Sequence, residues 1–297
     1  NAKELIKARH SKATREAYAT DWRDFSEWAL GNKMTALPCE VGPIVLYMAA
    51  CVEVGLKPNT IARKVAAINY AHKQANLPSP TTLEPVKAAL AGIRRTKGMK
   101  VKQAAPATIE VMEKILDTCG DDLRGKRDKA LLAIGFGGAL RRSELAALQV
   151  EDIEFTDNGL LIDIQRSKTD QEQKGERIAI LQGERLKVKT LLKRWLRASQ
   201  IKKGYIFRGI VKNKIKDTPI THRQLTNIIK RKAMLAGLDP KKFSGHSLRA
   251  GFVTSAATAG ANLFSIMDVS RHKSVDTVRK YVRRAEVFKD HAGSKFM

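Results

Sequence analysis

The sequence predicts a mainly α (α+β) protein in two parts: a helical front domain and a mostly helical second domain that holds a small antiparallel sheet. Three observations carry that prediction. Apolar residues recur at three- and four-residue spacing along most of the chain, punctuated by proline and glycine. The stretch from Arg94 to Ala107 is basic and poor in apolar anchors. Between Asp152 and Leu181 the period shortens to strand-like alternation.

The first predicted helix is capped by Ser11 and carries Tyr18, Trp22, Phe25 and Ala29 on one face before Gly31-Asn32 ends it. A second runs from Pro43 to about Val54. The third follows Lys57-Pro58-Asn59, with Ile61, Val65, Ile68 and His72 on its buried face and Thr60, Arg63 and Lys64 on another. "LPSPTTLEP" reads as a loop, and a fourth helix carries Val86, Leu90 and Ile93 into "RRTKGMKVK". We place the boundary near Gln103, with a front domain over 1-102 and a second domain over 103-297 whose residues 103-107 act as linker. The second domain opens with helices over about 108-119 and 126-136, and "RSELAAL" begins another. "DIEF", a turn at Asn158-Gly159, "LLIDIQRSK" and "RIAIL" form the sheet. The remainder is expected to be helical, over 184-198, 221-236, 247-259, 263-269 and 274-286.

Charge narrows the partner. Of the 297 residues, 55 are Lys or Arg and 30 are Asp or Glu, a formal net charge of +25. Such an excess attracts polyanions over long range, nucleic acid first. Both domains are net positive, so two basic bodies on a basic linker are suited to clamping one polyanion. No apolar run approaches the roughly 18 residues of a membrane span, and neither an amphipathic anchor nor a signal peptide is evident, so no membrane partner is expected. Cys39, Cys51 and Cys119 are widely spaced in helix-like surroundings and read as reduced core residues, without a metal-ligand pattern. Because the chain opens on Asn1 rather than Met, we expect natural residues ahead of it.

Three segments carry candidate chemistry. In "GGALRRSELAAL", Arg141 and Glu144 stand three apart at a helix start. In "SGHSLRAG", His246 and Arg249 lie one helical turn apart and project from the same side. In "SRHKSVDTVRKY", His272 precedes Tyr281 by nine residues. Attack on phosphorus places negative charge on the non-bridging oxygens, which the rigid donor fork of arginine complements better than lysine does. Histidine donates to the same phosphate or accepts a phenol proton near neutral pH. Lys168 in "QRSKTDQ", at a strand end, is the candidate general acid, with Lys174 in the same connection as the alternative. Glu144 is suited to orienting Arg141.

Taken singly, these residues admit other readings. Tyr281 among cations is either a nucleophile aimed at phosphate or an interfacial aromatic in a basic helix. Arg141 with Glu144 also fits a surface ion pair, His246 with Arg249 a solvated helix face, His272 a helix-bridging histidine, and Lys168 an exposed lysine. Their ordered conjunction favours phosphate chemistry.

In that order the residues resemble the tyrosine site-specific recombinases of the phage integrase family. The family's pattern is an arginine with glutamate at plus three, a strand-borne lysine, H-x-x-R, a His or Trp, and a tyrosine nine further on. Through "RSKT", "GHSLRAG" and the helical front domain the chain is most similar to the Cre-like branch. Many relatives have Leu-Gly where Ser270-Arg271 precedes His272 here.

The resemblance implies that Tyr281 attacks a scissile phosphate, leaving a 3′-phosphotyrosine and a free 5′-hydroxyl. Arg141, His246, Arg249 and His272 would stabilise the transition state and Lys168 would protonate the leaving oxygen, with no metal, ATP or other cofactor. It also implies strand exchange through a Holliday junction by a homotetramer on two paired sites in double-stranded DNA. The location implied is cytoplasmic, with the bacterial or phage nucleoid. The front domain over 1-102 would be the core DNA-binding domain and 103-297 the catalytic one. Two other classes are compatible with the composition: a type IB topoisomerase-like enzyme and a non-catalytic DNA-binding protein on the same fold.

For DNA contacts, Thr60, Arg63 and Lys64 on the third helix, and His222, Arg223 and Lys230 on the helix after "PIT", are spaced to enter a major groove. Arg223 sits where the resemblance implies a base-reading arginine; the others are equally compatible with solvated surface. The tail "EVFKDHAGSKFM" resembles a segment that docks on a neighbouring subunit, with Phe288 as anchor, or is a frayed end.

Overall fold

The computed structural model describes residues 11–98, 104–165 and 175–285. The chain divides into two compact units between Lys102 and Gln103. Lys168 and Lys174, and the tail with Phe288, lie outside the described residues.

Among the described residues the front unit has four α-helices, α1 (Lys12–Gly31), α2 (Val41–Glu53), α3 (Pro58–Gln74) and α4 (Glu84–Lys97). Ser11 caps α1, its hydroxyl accepting from the Thr14 amide at 3.2 Å. Pro58 opens α3, where its missing N–H costs nothing. The predicted loop contains a single 3₁₀ turn, Pro80–Thr82. Phe25, Ile44, Met48, Ile61, Ile68 and Val86 are almost fully enclosed in the core. His72 is also fully buried, and its Nε2 accepts from the Cys39 amide at 3.1 Å while Nδ1 donates to the Ile68 carbonyl.

The second unit packs helices against two small sheets. After α5 (Ile109–Asp117), α6 (Leu123–Gly137) and α7 (Arg142–Ala147) come antiparallel strands β1 (Ile153–Phe155), β2 (Gly159–Ile164) and β3 (Glu176–Leu181). Leu160, Ile162, Ile164, Ile178 and Ile180 turn inward by strand alternation. Helix α8 (Val188–Ser199) buries Leu192 and Trp195 in the same core. It begins four residues later than the sequence period predicts, because Lys187 takes a left-handed backbone just before it.

The expectation that everything after β3 is helical needs correction. Strands β4 (Arg208–Val211) and β5 (Lys214–Pro219) form a second hairpin. Lys212 and Asn213, both at positive φ, make its two-residue turn. Lysine-rich alternation masked the apolar period there. Four helices follow among the described residues, α9 (His222–Leu235), α10 (Ser247–Thr258), α11 (Leu263–Ser270) and α12 (Val275–Ala285). Cys39, Cys51 and Cys119 are buried free thiols. Among the described residues no helix is long and apolar enough to cross a membrane.

Candidate active site

Two glycines let the second unit assemble its polar centre. A Cβ on Gly251 of α10 would lie 1.8 Å from the Ala107 carbonyl oxygen, so only glycine lets the segment before α5 cross α10 this closely. There the Ala107 amide donates to the Ser247 carbonyl at 2.9 Å. A Cβ on Gly245 would fall 1.9 Å from Cδ of Arg142, whose side chain lies across that glycine. Gly245 and Gly251 thus fix the start and middle of the segment that carries His246 and Arg249.

Arg141 stands at the N-terminal end of α7. Its backbone amide donates to Glu144 Oε2 at 2.8 Å and its Nη1 to Oε1 at 2.6 Å, while Nη2 donates to the Arg271 carbonyl at 3.2 Å. Glu144 is 4% exposed, so its carboxylate is a fixed support and not a solvated proton carrier. Burial acts to raise its pKa, but the charge of Arg271 and the bonds from Arg141 outweigh it and hold the carboxyl below its ordinary value.

Arg249, one turn after His246 on α10, is 2% exposed. Its Nη1 donates to the Ala139 carbonyl at 2.8 Å, whereas Nη2 is buried with no hydrogen-bond partner among the described residues. Burial, then the charges of Arg141 and Arg271, bring this guanidinium down to about 9, where it is still protonated at neutral pH. A buried orphan donor on a cation is costly, and an anion would satisfy it.

Tyr281 projects from α12 and packs beside Val253, Ala257, Ile266 and Val278. Its hydroxyl lies 3.2 Å from His246 Nε2. Loss of hydration, then the charges of Arg249, Arg142 and Arg141, lower the His246 pKa, so the ring is neutral at pH 7 and able to accept the phenol proton.

His272 is held by Ser270. The Ser270 hydroxyl donates to the Ile266 carbonyl at 2.6 Å and has no second proton, so it accepts from His272 Nδ1–H at 2.7 Å. That leaves Nε2 as the acceptor edge of the neutral ring. Burial, followed by Arg249, Arg141, His246 and Arg271, pushes the His272 pKa down to about 3.

The structure therefore brings Arg141, Glu144, His246, Arg249, His272 and Tyr281 into one polar centre. Lys168 lies outside the described residues. Sequence reasoning missed Ser270 as the partner of His272 and treated Arg271 only as a departure from a pattern. Arg271 has a left-handed backbone at φ 55, and Ala139 does too at φ 45. Such a conformation costs a non-glycine residue on the order of 1 kcal/mol. The available signal was that Leu-Gly departure, since glycine commonly marks left-handed backbone.

The proposed DNA-contact residues divide. His222 and Arg223 are exposed at the start of α9, which Thr221 caps by accepting from the Gln224 amide at 3.2 Å, and Lys230 is half-buried further along. Thr60 is half-buried and Arg63 exposed on α3. Lys64 does not share their surface. It is buried, donating to Asp24 and, at 3.1 Å, to the Tyr47 hydroxyl, so its placement on a DNA-facing side is corrected. Among the described residues, no group of three or more His, Cys, Asp or Glu side chains is placed to hold a metal ion.

Residues 107–287 match the profile of the phage integrase family. The chain is 38% identical to an integrase/recombinase xerD homolog of Selenomonas ruminantium, over 98% of this chain and 87% of that one. It is 26% identical to recombinase cre of Escherichia phage P1, over 89% and 82% of the respective chains. Among solved structures, the Tn1549 transposon integrase in complex with transposon right end DNA superposes with a TM-score of 0.67 at 17% identity, covering 96% of each chain. A lambda integrase dimer bound to a core site gives 0.63 at 16% identity, covering 95% of this chain and 75% of that one. These two structural likenesses speak to the fold.

Proposed function

We propose, from the premise that the chain belongs to the phage integrase family and is a tyrosine site-specific recombinase, that Tyr281 is its nucleophile and double-stranded DNA its substrate. The observation that carries this reading is the Tyr281 hydroxyl, 3.2 Å from a neutral His246 and beside a buried Arg249 with a free donor. His246 Nε2 accepts the phenol proton as Tyr281 Oη bonds to phosphorus. The P–O5′ bond breaks, and the departing oxygen takes a proton, from Lys168 by family resemblance. Arg141 and Arg249 donate to the non-bridging oxygens as charge builds on them. The phosphotyrosyl ester keeps the free energy of the broken bond, so a 5′-hydroxyl can reverse the step and rejoin a strand.

Residues 1-102 would serve as the core DNA-binding domain and 103-297 as the catalytic domain. The exposed Arg63, His222 and Arg223, with the half-buried Thr60 and Lys230, are the candidate contacts. Four subunits on two paired sites, exchanging strands through a Holliday junction, form the assembly this family membership supports.

The test is a nicked suicide duplex carrying a candidate site, incubated with the protein and resolved on a denaturing gel. The parent should form a covalent adduct, and Tyr281→Phe should bind the duplex yet form none. An adduct that persists in Tyr281→Phe would remove Tyr281 from the nucleophile's role. No adduct from the parent, on a site it binds specifically, would favour a DNA-binding role without cleavage.

A further inference from the structure

Arg271 is the last cation before His272, and the proposed chemistry gives it no part. Its side chain is 3% exposed, more enclosed than that of Arg141. Nη2 donates to Glu144 Oε2 at 2.6 Å, and Nη1 reaches the carbonyls of Val269 at 3.3 Å and Gly138 at 3.4 Å. Nε faces Glu176 Oε2, at the start of β3, across 3.5 Å, and neither atom has a hydrogen bond among the described residues. Meanwhile the Arg271 carbonyl accepts from Arg141 Nη2. One residue thus grips both Arg141 and the carboxylate that orients it. It does so from a left-handed backbone that glycine would occupy with less strain.

Charge gives this placement a use. A carboxylate that orients an arginine also cancels its charge, and here both oxygens of Glu144 are committed to Arg141. A second guanidinium on the same carboxylate offsets that cancellation. We propose that Arg271 is a positioning residue that neutralises Glu144, so that Arg141 is held in place by the carboxylate while its positive charge stays available to the scissile phosphate. This rests on the proposed function, and it adds a third arginine to the reaction that does not touch the substrate.

The charged and titratable groups around this pair are Arg141 on α7, Arg249 on α10, Glu176 on β3 and His272 after α11. Without Arg271, Glu144 should gain its proton at a higher pH, because the charge of Arg271 is the foremost influence that keeps it ionised. The acid limb of cleavage should then move upward in pH. A residue that merely filled space would not move it.

Three variants separate charge from backbone: Arg271→Lys keeps the charge, Arg271→Met keeps the bulk without it, and Arg271→Gly relieves the backbone and removes the charge. Single-turnover adduct formation on the nicked duplex should be within about threefold of the parent for Lys and at least about tenfold slower for Met and Gly. DNA affinity should change by no more than about twofold, and the acid limb should shift upward only in Met and Gly. If Gly reacts like the parent with an unshifted pH profile, or if Lys is as slow as Met, the charge is not what matters and the proposal is overturned. Should Met fail to fold, Lys against Gly decides by the same criterion. If the parent itself forms no adduct on a site it binds, the proposed function fails and this inference falls with it; a reactive parent with the wrong order of variants overturns this inference alone.

Discussion

Each unit has a polar cluster built on a buried carboxylate, Asp21 in the front unit and Glu144 in the second. In the front unit, Arg63 meets Asp21 through two hydrogen bonds of 2.7 and 3.1 Å, and Lys64 meets Asp24, with Asp21 at 3.8 Å. Every cation there has its own carboxylate partner. In the second unit, Arg141 and Arg271 share the buried Glu144 and Arg271 also faces Glu176 at 3.5 Å, while among the described residues Arg249 has only a carbonyl and an orphan Nη2. A matched cluster holds helices together and asks for nothing further. A cluster with surplus buried cations is incomplete by itself, and its electrostatics favour an incoming anion. The difference separates a self-matched network from one whose charge is left over.

The largest effect that tests this contrast comes from Arg249→Met, which keeps volume but removes a surplus charge. Adduct formation should slow by about 10²- to 10³-fold. Stability, read from the urea midpoint, should hold or rise, because an underpaired buried charge has been removed. A clear loss of stability would break the comparison.

Lys64→Met should do the reverse. Asp21 is 3% exposed and loses one of its cations, while Asp24 loses its lysine. The front unit should lose about 2 kcal/mol in urea unfolding, with cleavage unchanged in native conditions. The pair of substitutions sharpens the contrast, because each moves only one of the two readouts.

Acid should separate the units next. The folded-state pKa of His272 lies at about 3, below its unfolded value near 6.5, so the unfolded chain binds the extra proton in between. The second unit should therefore lose stability steadily as pH falls from about 6.5 towards 3, with the lowered His246 acting in the same direction. In the front unit, bonds from Lys64 and then Tyr47 lower the pKa of Asp24, so its contribution fades only below the ordinary aspartate value of 3.8. Of the three tryptophans, Trp22 and Trp28 report the front unit and Trp195 the second. Urea midpoints followed in Trp195→Phe and in the parent should show the second unit weakening at the higher pH. His272→Asn should flatten that dependence.

The smallest change is expected for Arg63→Ala. Its side chain is 51% exposed, so losing the Asp21 pair should cost about 1 kcal/mol at most. Because Arg63 is also a candidate DNA contact, its loss should reduce the salt dependence of binding by about one unit of slope.

The helices were legible because their apolar period is regular, and the residues that gather at the polar centre because each type suits phosphate chemistry at a fixed spacing. Lys64 misled for a physical reason. Thr60, Arg63 and Lys64 do share one side of α3, but Asp21 and Asp24 reach that side from α1 and draw the lysine inward. No reading of α3 alone contains that. The second hairpin was hidden because its strands are short and rich in lysine, with a turn at Lys212-Asn213 that lacks glycine. Ser270 escaped notice because its role depends on the Ile266 carbonyl taking its only proton. Such bookkeeping of single protons is invisible to pattern and spacing.

Ala139 and Arg271 share the left-handed backbone, and each offers its carbonyl to one arginine, Ala139 to Arg249 and Arg271 to Arg141. For anyone diversifying this protein, the two positions filter substitutions by shape before chemistry. Valine, isoleucine and threonine would be excluded at both, whereas glycine, asparagine and aspartate would pass the backbone. At 139 a randomised library selected for activity should drift towards glycine, since nothing but shape is asked of that side chain. At 271 it should keep arginine or lysine against that drift. The two columns of such a library would read out, side by side, what selection spends on geometry and what it spends on charge.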